Sequence, residues 1–128
     1  MKPNLLIACV ITACVVPVLA QVREHDPEWI APPTASTRAN PLANRSDLVA
    51  GGDKIYRSRC ASCHADDGSG TSRAPRLSEP VVQTQSDGAL FWKVSSGNSH
   101  AGMPAFSFLP ELQRWQVILH IRALKTTE

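Results

Sequence analysis

The apolar positions of the chain form one continuous block near the N-terminus and three amphipathic stretches further along. Residues 5–20 are uncharged and almost entirely apolar. The later pattern has helical spacing and predicts three helices, from Ser46 or Asp47 to about Arg59, from Ser86 to Gly97, and from Pro110 and Glu111 to about Lys125. The segments 65–80 and 95–108 are rich in Gly, Ser and Pro and predict loops. No stretch alternates convincingly as a strand would.

Two glycines lie in the middle of the first predicted helix. Gly51 and Gly52 each cost about 1 kcal/mol relative to alanine in a helix interior. We therefore expect another backbone or a large side chain to pass close to the helix there. Three helices joined by long loops make a poor core of their own, and aromatic residues are only 5% of the chain. The sequence thus predicts that something other than protein fills the middle.

The apolar block at the N-terminus has the features of a secretory signal peptide. Lys2 precedes the block, Val18-Leu19-Ala20 ends it with small residues, and a polar run follows. We expect residues 1–20 to be a signal peptide that is cleaved after Ala20, which makes the protein periplasmic. Two alternatives stay open: an uncleaved membrane anchor facing the periplasm, and lipidation at Cys14.

The next segment, residues 21–45, contains four prolines and no glycine, and it shows no helical or alternating pattern. We call it the N-terminal arm. Its composition predicts an extended segment with polyproline II character, ahead of a domain formed by residues 46–128. Trp29 is too large and apolar to stay in water without a reason. We expect it to pin the arm against the domain, and docking of a partner protein is the alternative.

Composition and charge limit the possible partners. The chain has 128 residues, of which 43% are hydrophobic and 19% charged, as in a single globular domain. Its net charge is +2 with no long run of one sign. This charge argues against nucleic acid as a partner, because neutralising phosphates needs a concentrated basic face.

The residues with distinctive chemistry are concentrated in Cys60-Ala61-Ser62-Cys63-His64. Two thiols at this spacing on a helix end can each add to a vinyl group of haem, and the next residue then places an imidazole beneath the iron. Two other interpretations compete. A thiol–disulfide oxidoreductase also uses C-x-x-C, usually after a strand, and a zinc site needs a second pair of ligands that the spacing lacks.

A second axial ligand to the haem iron must come from further along the chain. The candidates after His64 are Met103, His100 and His120. Met103 is flanked by a glycine and a proline that can fix the backbone, so we expect it to be the ligand, with His100 as the runner-up. His120 is expected to be a packed or surface residue of the last helix, and His25 a solvated residue of the arm.

Over residues 48–124 these motifs resemble the class I, monohaem cytochromes c of the bacterial periplasm. Gly52 and Tyr56 stand eight and four residues before Cys60, as the small and aromatic residues of that family do. Ala74-Pro75-Arg76-Leu77 matches the family's Gly/Ala-Pro-x-Leu element, and the Met-Pro loop and the last helix also match. One departure is His120, where the family often has an aromatic residue. The partner of Gly52 on the last helix is therefore left open between Trp115 and His120.

The resemblance implies an all-α fold, with three or more helices wrapped around one covalently bound haem c. It implies thioether bonds at Cys60 and Cys63, axial ligation by His64 and Met103, and a Pro75 carbonyl that accepts the Nδ1–H of His64. Two protein ligands leave no open position on the iron, so we expect a single-electron carrier and no enzyme, with redox proteins as partners and no small-molecule substrate. The alternative is a cytochrome c subunit of a periplasmic dehydrogenase or oxidase complex.

Two further sets of residues are candidates for the surroundings of the haem. The apolar residues expected to line its pocket are Leu77, Leu90, Phe91, Phe106 and Leu109. The basic residues nearest to it in the sequence are Arg57, Arg59, Arg73, Arg76 and Lys93. They form either a rim that steers an acidic partner or an ordinary mixed surface. Arg76 is also a candidate partner for a haem propionate.

Overall fold

A computed structural model describes residues 21–124 of the chain. The predicted signal peptide, Cys14 and Lys125 lie outside the described residues. The described part is helical, as predicted, and contains no β-strand. Its helices are α1 (Pro33–Ser36), α2 (Val49–Arg59), α3 (Ala61–His64), α4 (Pro80–Gln83), α5 (Asp87–Ser96) and α6 (Glu111–Ala123), with 3-10 turns at Ser46–Leu48 and Ser99–Ala101. Within residues 21–124, no helix is both long and apolar enough to cross a membrane.

The three helices predicted from the apolar pattern are α2, α5 and α6. The first is preceded by the 3-10 turn that begins at Ser46. The second is capped by Ser86, whose hydroxyl accepts the Ala89 N–H at 3.1 Å, and it ends at Gly97 with a φ of +67°. The third was predicted to have Pro110 as its first residue, but Pro110 is its N-cap and the helix begins at Glu111. The cap and stop residues therefore located the helix ends to within about a turn.

The short helices α1, α3 and α4 are too brief to leave a periodic pattern. The N-terminal arm is consequently less extended than predicted, because α1 forms one turn that begins at a proline. This turn packs on α5 where Gly88 has no side chain. A Cβ there would lie 2.2 Å from the Ala35 carbonyl oxygen and 2.6 Å from that of Arg38.

Helices α2 and α6 cross in direct backbone contact. A Cβ on Gly52 would lie 2.0 Å from the Gln116 carbonyl oxygen and 3.1 Å from the His120 Cβ. The predicted close approach is thus confirmed, and it decides the partner of Gly52, because His120 and Gln116 take that place. The imidazole of His120 lies beside the Tyr56 ring, with the centroids 4.7 Å apart.

Trp115 belongs to the core. Its indole is completely buried and stacks on Phe91, with ring centroids 3.9 Å apart. Arg38 of the arm lies over both rings and pairs with Glu111. The expectation that Phe91 lines a haem pocket was therefore wrong, because its ring face is taken by Trp115.

Arg122 of α6 forms hydrogen bonds that connect α6 to the end of α4 and the start of α5. Its Nε donates to the Asp87 carboxylate at 2.7 Å, and its Nη1 donates to the Gln83 carbonyl at 2.8 Å. The same carboxylate accepts a hydrogen bond from the buried Asn40 amide at 2.9 Å. One arginine and one aspartate thus connect α6, the end of α4, the start of α5 and the arm.

Candidate functional site

A cleft of about 1550 Å³ opens between the C-x-x-C-H turn, the loop after it, α5 and the loop that follows α5. The five residues predicted for the haem site all line this cleft. They are Cys60, Cys63, His64, Pro75 and Met103. Residues far apart in the sequence therefore meet around one space.

The C-x-x-C-H motif lies at a break between two helices. Helix α2 ends at Arg59, and the chain turns into α3, with the His64 N–H donating to the Cys60 carbonyl at 3.0 Å. The Tyr56 hydroxyl donates to the Ala65 carbonyl at 2.8 Å, at a residue whose φ of +66° is unusual for alanine. The Thr71 hydroxyl donates to the Cys63 carbonyl at 2.6 Å. These bonds hold both thiols and the imidazole toward one side.

The ring of His64 is buried and has a defined tautomer. Its Nδ1 lies 2.9 Å from the Pro75 carbonyl oxygen. Because a carbonyl only accepts, Nδ1 must carry the hydrogen, and Nε2 keeps its lone pair. Burial lowers the pKa of His64, against the opposing effect of the Pro75 hydrogen bond. A neutral imidazole with a free Nε2 is the form that binds a metal.

The two thiols lack the properties of a redox dithiol. Both are half-buried and unbridged. Burial, and then the neighbouring Cys63, raise the pKa of the Cys60 thiol to about 11. A thiol–disulfide oxidoreductase needs the opposite shift, toward a thiolate at neutral pH. The zinc alternative also lacks support, because no group of three or more His, Cys, Asp or Glu side chains between residues 21 and 124 is arranged to hold a metal ion.

The opposite side of the cleft is formed by the loop that carries Met103. Asn98 and Met103 form an isolated antiparallel bridge, with both backbone hydrogen bonds 2.9 Å long. Between them a 3-10 turn ends at Gly102, whose φ of +79° favours glycine. Met103 is half-buried and packs against the core, whereas His100 is exposed at the rim of the cleft. The structure therefore favours Met103 over His100 as the side chain on this side.

Of the apolar residues expected around the haem, Leu77, Leu90 and Phe106 line the cleft, whereas Phe91 and Leu109 lie in the core behind it. Among the basic residues, Arg59, Arg73, Arg76 and Lys93 border the cleft. Arg57 faces away and binds the Asp53 carboxylate through two contacts of 3.0 Å. Four of the five basic candidates therefore lie at the cleft.

The N-terminal arm also lines the cleft. His25 is half-buried there, with its Nε2 shielded from solvent and 3.7 Å from the Glu79 carboxylate, so the expectation of a solvated side chain was wrong. Trp29 is half-buried, and the Lys93 ammonium lies 4.9 Å from its ring centroid, consistent with a pinning role. The one sequence signal for this placement was the tryptophan itself.

The side chains around the cleft fit a c-type haem. Two free thiols and a neutral imidazole are the groups that attach the haem and bind its iron. Ile30 and Val81 also line the cleft and are 75% and 50% exposed. Such open apolar surface suits a flat apolar ring system that would cover it.

A comparison with protein families agrees with this geometry. The family model described as cytochrome c oxidase, cbb3-type, subunit III matches residues 47–121. The chain belongs to this cytochrome c family. Membership implies a covalently bound c-type haem, and it confirms the resemblance to class I cytochromes c. As a cytochrome c domain, the protein acts in haem-based electron transfer with redox proteins as partners.

A solved structure named "KustC0563 c-type cytochrome" is similar to this cytochrome c chain. The TM-score is 0.53 at 23% sequence identity, and the match covers 59% of this chain and 98% of that one. At this identity the likeness supports the fold alone. No curated protein matches the chain.

Proposed function

We propose that the protein is a periplasmic carrier of single electrons whose haem is held by Cys60 and Cys63 and ligated by His64 and Met103. The observation that carries this proposal is the 2.9 Å contact between His64 Nδ1 and the Pro75 oxygen, at the floor of a cleft lined by both thiols. A haem held there supplies a one-electron couple between Fe(III) and Fe(II). The chain's residues attach that group, orient it and set its potential.

The two proposed ligands lie on opposite walls of the cleft and affect the iron in different ways. The Pro75 carbonyl fixes the ring of His64 and makes its Nε2 more basic. The soft thioether of Met103 favours Fe(II) more than a second imidazole would, which raises the reduction potential. The apolar side chains of Leu77, Leu90 and Phe106 disfavour the extra charge of the oxidised state. Two protein ligands leave no position for a substrate, so the proposed role is that of a carrier and no enzyme.

The proposed location rests on the N-terminal sequence. Residues 1–20 have the pattern of a cleaved signal peptide, followed by the arm (21–45) and the cytochrome c domain (46–128). Retention of this segment as an anchor, or lipidation at Cys14, would keep the same domain at the membrane surface facing the periplasm. Mass spectrometry of the exported protein distinguishes the three forms by the mass of the N-terminal peptide.

An optical spectrum of the oxidised and reduced protein tests the ligation. We expect a low-spin spectrum with the weak charge-transfer band of methionine-bound ferric haem. Met103→His should abolish this band while the iron stays low-spin, and it should lower the reduction potential by on the order of 100 mV. His100→Ala is the matched control and should change neither. High-spin iron in the wild type, or rapid binding of carbon monoxide, would contradict the proposal.

A second candidate is a cytochrome c subunit of a dehydrogenase or oxidase complex. The family description, which names an oxidase subunit, favours it. The packing of Trp29 against the chain's own Lys93 weighs against the arm as its docking segment. Size-exclusion chromatography of the natively expressed protein separates the two candidates. Migration as a monomer that retains its redox activity supports the carrier, and stable co-migration with a larger oxidoreductase supports the subunit.

A further inference from the structure

The N-terminal arm crosses the cleft and is hydrogen-bonded to both of its walls. On the side of the C-x-x-C-H turn, the Arg23 N–H donates to the Thr71 carbonyl at 2.9 Å, and Thr71 in turn holds Cys63. On the opposite side, the Asp26 carboxylate accepts a hydrogen bond from the Asn98 side-chain amide at 2.9 Å. Only two residues of the arm, Glu24 and His25, therefore separate its contacts with the two walls.

Asn98 is the residue that organises the loop of Met103. Its backbone N–H and carbonyl both pair with Met103, and its side-chain oxygen accepts the Ala101 N–H at 3.2 Å. The residue is 8% exposed. Its side-chain Nδ2 therefore needs a partner inside the protein, because an unpaired buried donor is costly. Asp26 supplies that partner.

Asp26 is itself held in place. Its second carboxylate oxygen accepts the Glu28 N–H at 3.0 Å, and its carbonyl accepts the Trp29 N–H at 3.3 Å. Trp29 is then fixed beneath Lys93 of α5. The hydrogen bonds from Asn98 and from the Glu28 N–H lower the pKa of Asp26, so it is ionised at neutral pH. The Asn98 amide thus donates to a fixed, charged acceptor.

We propose that Asp26 is a positioning residue for Met103 and that it acts through Asn98. This inference rests on the proposed ligation of iron by Met103. The arm then has a function beyond covering the cleft, because it holds the loop that carries the distal ligand in the arrangement that lets the thioether remain bound. Loss of this bond leaves the chain folded and the haem attached, but Met103 becomes easier to displace.

The test is displacement of the distal ligand by imidazole in the ferric, haem-loaded protein, followed by the charge-transfer band and by the reduction potential. Asp26→Ser keeps a hydroxyl that can accept the Glu28 N–H but removes the acceptor for Asn98. We expect imidazole to bind about tenfold more tightly to this variant, as the loss of one charge-assisted hydrogen bond implies. Glu28→Ser is the matched control, because it removes a carboxylate of the same arm that makes no hydrogen bond or ion pair among the described residues.

A swap of the two side chains separates the hydrogen bond from the charge. Asn98→Asp places two carboxylates opposite each other and should loosen Met103 at least as much as Asp26→Ser. The double variant D26N/N98D restores one donor and one acceptor with the net charge unchanged, and its imidazole affinity should return to within about threefold of the wild type.

The possible outcomes distinguish the role of Asp26 from the ligation of iron by Met103 on which it rests. A wild type without the charge-transfer band overturns the ligation by Met103 and the role of Asp26 together. A wild type with the band, but with equal imidazole affinities in Asp26→Ser and Glu28→Ser, overturns only the role of Asp26. Failure of D26N/N98D to recover, after an effect in both single variants, shows that the hydrogen bond between the two side chains does not hold Met103, and it also overturns the role of Asp26.

Discussion

The orientation of one imidazole ring illustrates how much a single contact decides at the residue scale. The sequence places His64 directly after the second thiol, and the family resemblance names Pro75 as its partner. The two residues are eleven positions apart in the sequence, and no local sequence pattern predicts the distance between their side chain and carbonyl. The loop from 65 to 80 folds back so that the Pro75 carbonyl meets Nδ1, and this contact assigns Nε2 to the cleft.

His120 is a residue whose environment was hard to predict. It is buried between α2 and α6, and its Nδ1 lies 3.8 Å from the Asp53 carboxylate. Its Nε2 has no hydrogen-bond partner within residues 21–124. Burial lowers the pKa of His120, and the attraction of Asp53 only partly opposes this effect. The ring therefore serves as an apolar neighbour of Tyr56, in the place where the family often has an aromatic residue.

The lowered pKa of His120 predicts a pH dependence of stability. Below pH 6.5, the ordinary pKa of histidine, His120 binds a proton in the unfolded chain but stays neutral in the folded chain. The free energy of unfolding therefore falls as the pH falls from 6.5 toward the folded-state pKa. His120→Phe should reduce this slope and stay within about 1 kcal/mol of the wild type at pH 7.5. Guanidinium unfolding of the haem-loaded protein at pH 5.5 and 7.5 measures it. His100→Ala, at an exposed histidine, should keep the wild-type slope, and an unchanged slope in His120→Phe would contradict the assignment.

At the scale of elements, the crossing of α2 and α6 is the main contact between helices. Two adjacent glycines suggested this crossing, but they are not equivalent. A Cβ at Gly52 would meet the Gln116 backbone at 2.0 Å, whereas one at Gly51 would meet the flexible end of the Gln116 side chain at 3.0 Å. Only one of the two glycines is therefore required by the packing of the helices.

This difference predicts opposite effects of the same substitution at neighbouring positions. Gly52→Ala should lower the free energy of unfolding by about 3 kcal/mol, because the helices must move apart. Gly51→Ala should be neutral or stabilising by up to about 1 kcal/mol, because alanine favours the helix and the glutamine can move aside. Guanidinium unfolding of both haem-loaded variants compares them directly. Equal losses at the two positions would show that the crossing is looser than described.

For the whole molecule, the arm and the later helices are held together by polar contacts. Asp87 lies in the first turn of α5 and Arg122 in the last turn of α6, where each charge suits the helix dipole. In the folded chain they form an ion pair at 2.7 Å, with side chains 20% and 25% exposed. Asn40 and the end of α4 join the same cluster. Arg122 and Asp87 therefore do more than stabilise the ends of their own helices, because they also hold separate elements of the fold together.

The cluster predicts that removing the side chain of Arg122 lowers the free energy of unfolding far more than removing that of Arg45. Arg122→Ala should lower the free energy of unfolding by about 3 kcal/mol, because it leaves Asp87 without its half-buried partner. Arg45→Ala removes an exposed pair with Asp47 and should lower the free energy of unfolding far less, because solvent screens this pair. Urea unfolding midpoints of the two haem-loaded variants provide the measurement. Similar midpoints would mean that the Arg122 cluster is as weak as a surface ion pair.

The sequence by itself determined the chemistry of the molecule and its local structure. Thiol spacing, the following histidine, caps, glycines and apolar periodicity are properties of short segments, and each depends on neighbours within one or two helical turns. They sufficed for the all-α class, the three main helices, a covalent haem and the candidate ligands. The Met103 loop was found because a flanking glycine and proline also mark a local turn.

Only the tertiary structure decided which distant segments meet. The arm lines the cleft, His25 is half-buried there, Asp26 reaches Asn98, and Phe91 stacks on Trp115 away from the haem site. No short stretch of sequence predicts these contacts, because each joins segments more than twenty residues apart through shape complementarity and hydrogen bonding. Local propensity fixes the elements, whereas the exclusion of water from a shared interior selects how they pack.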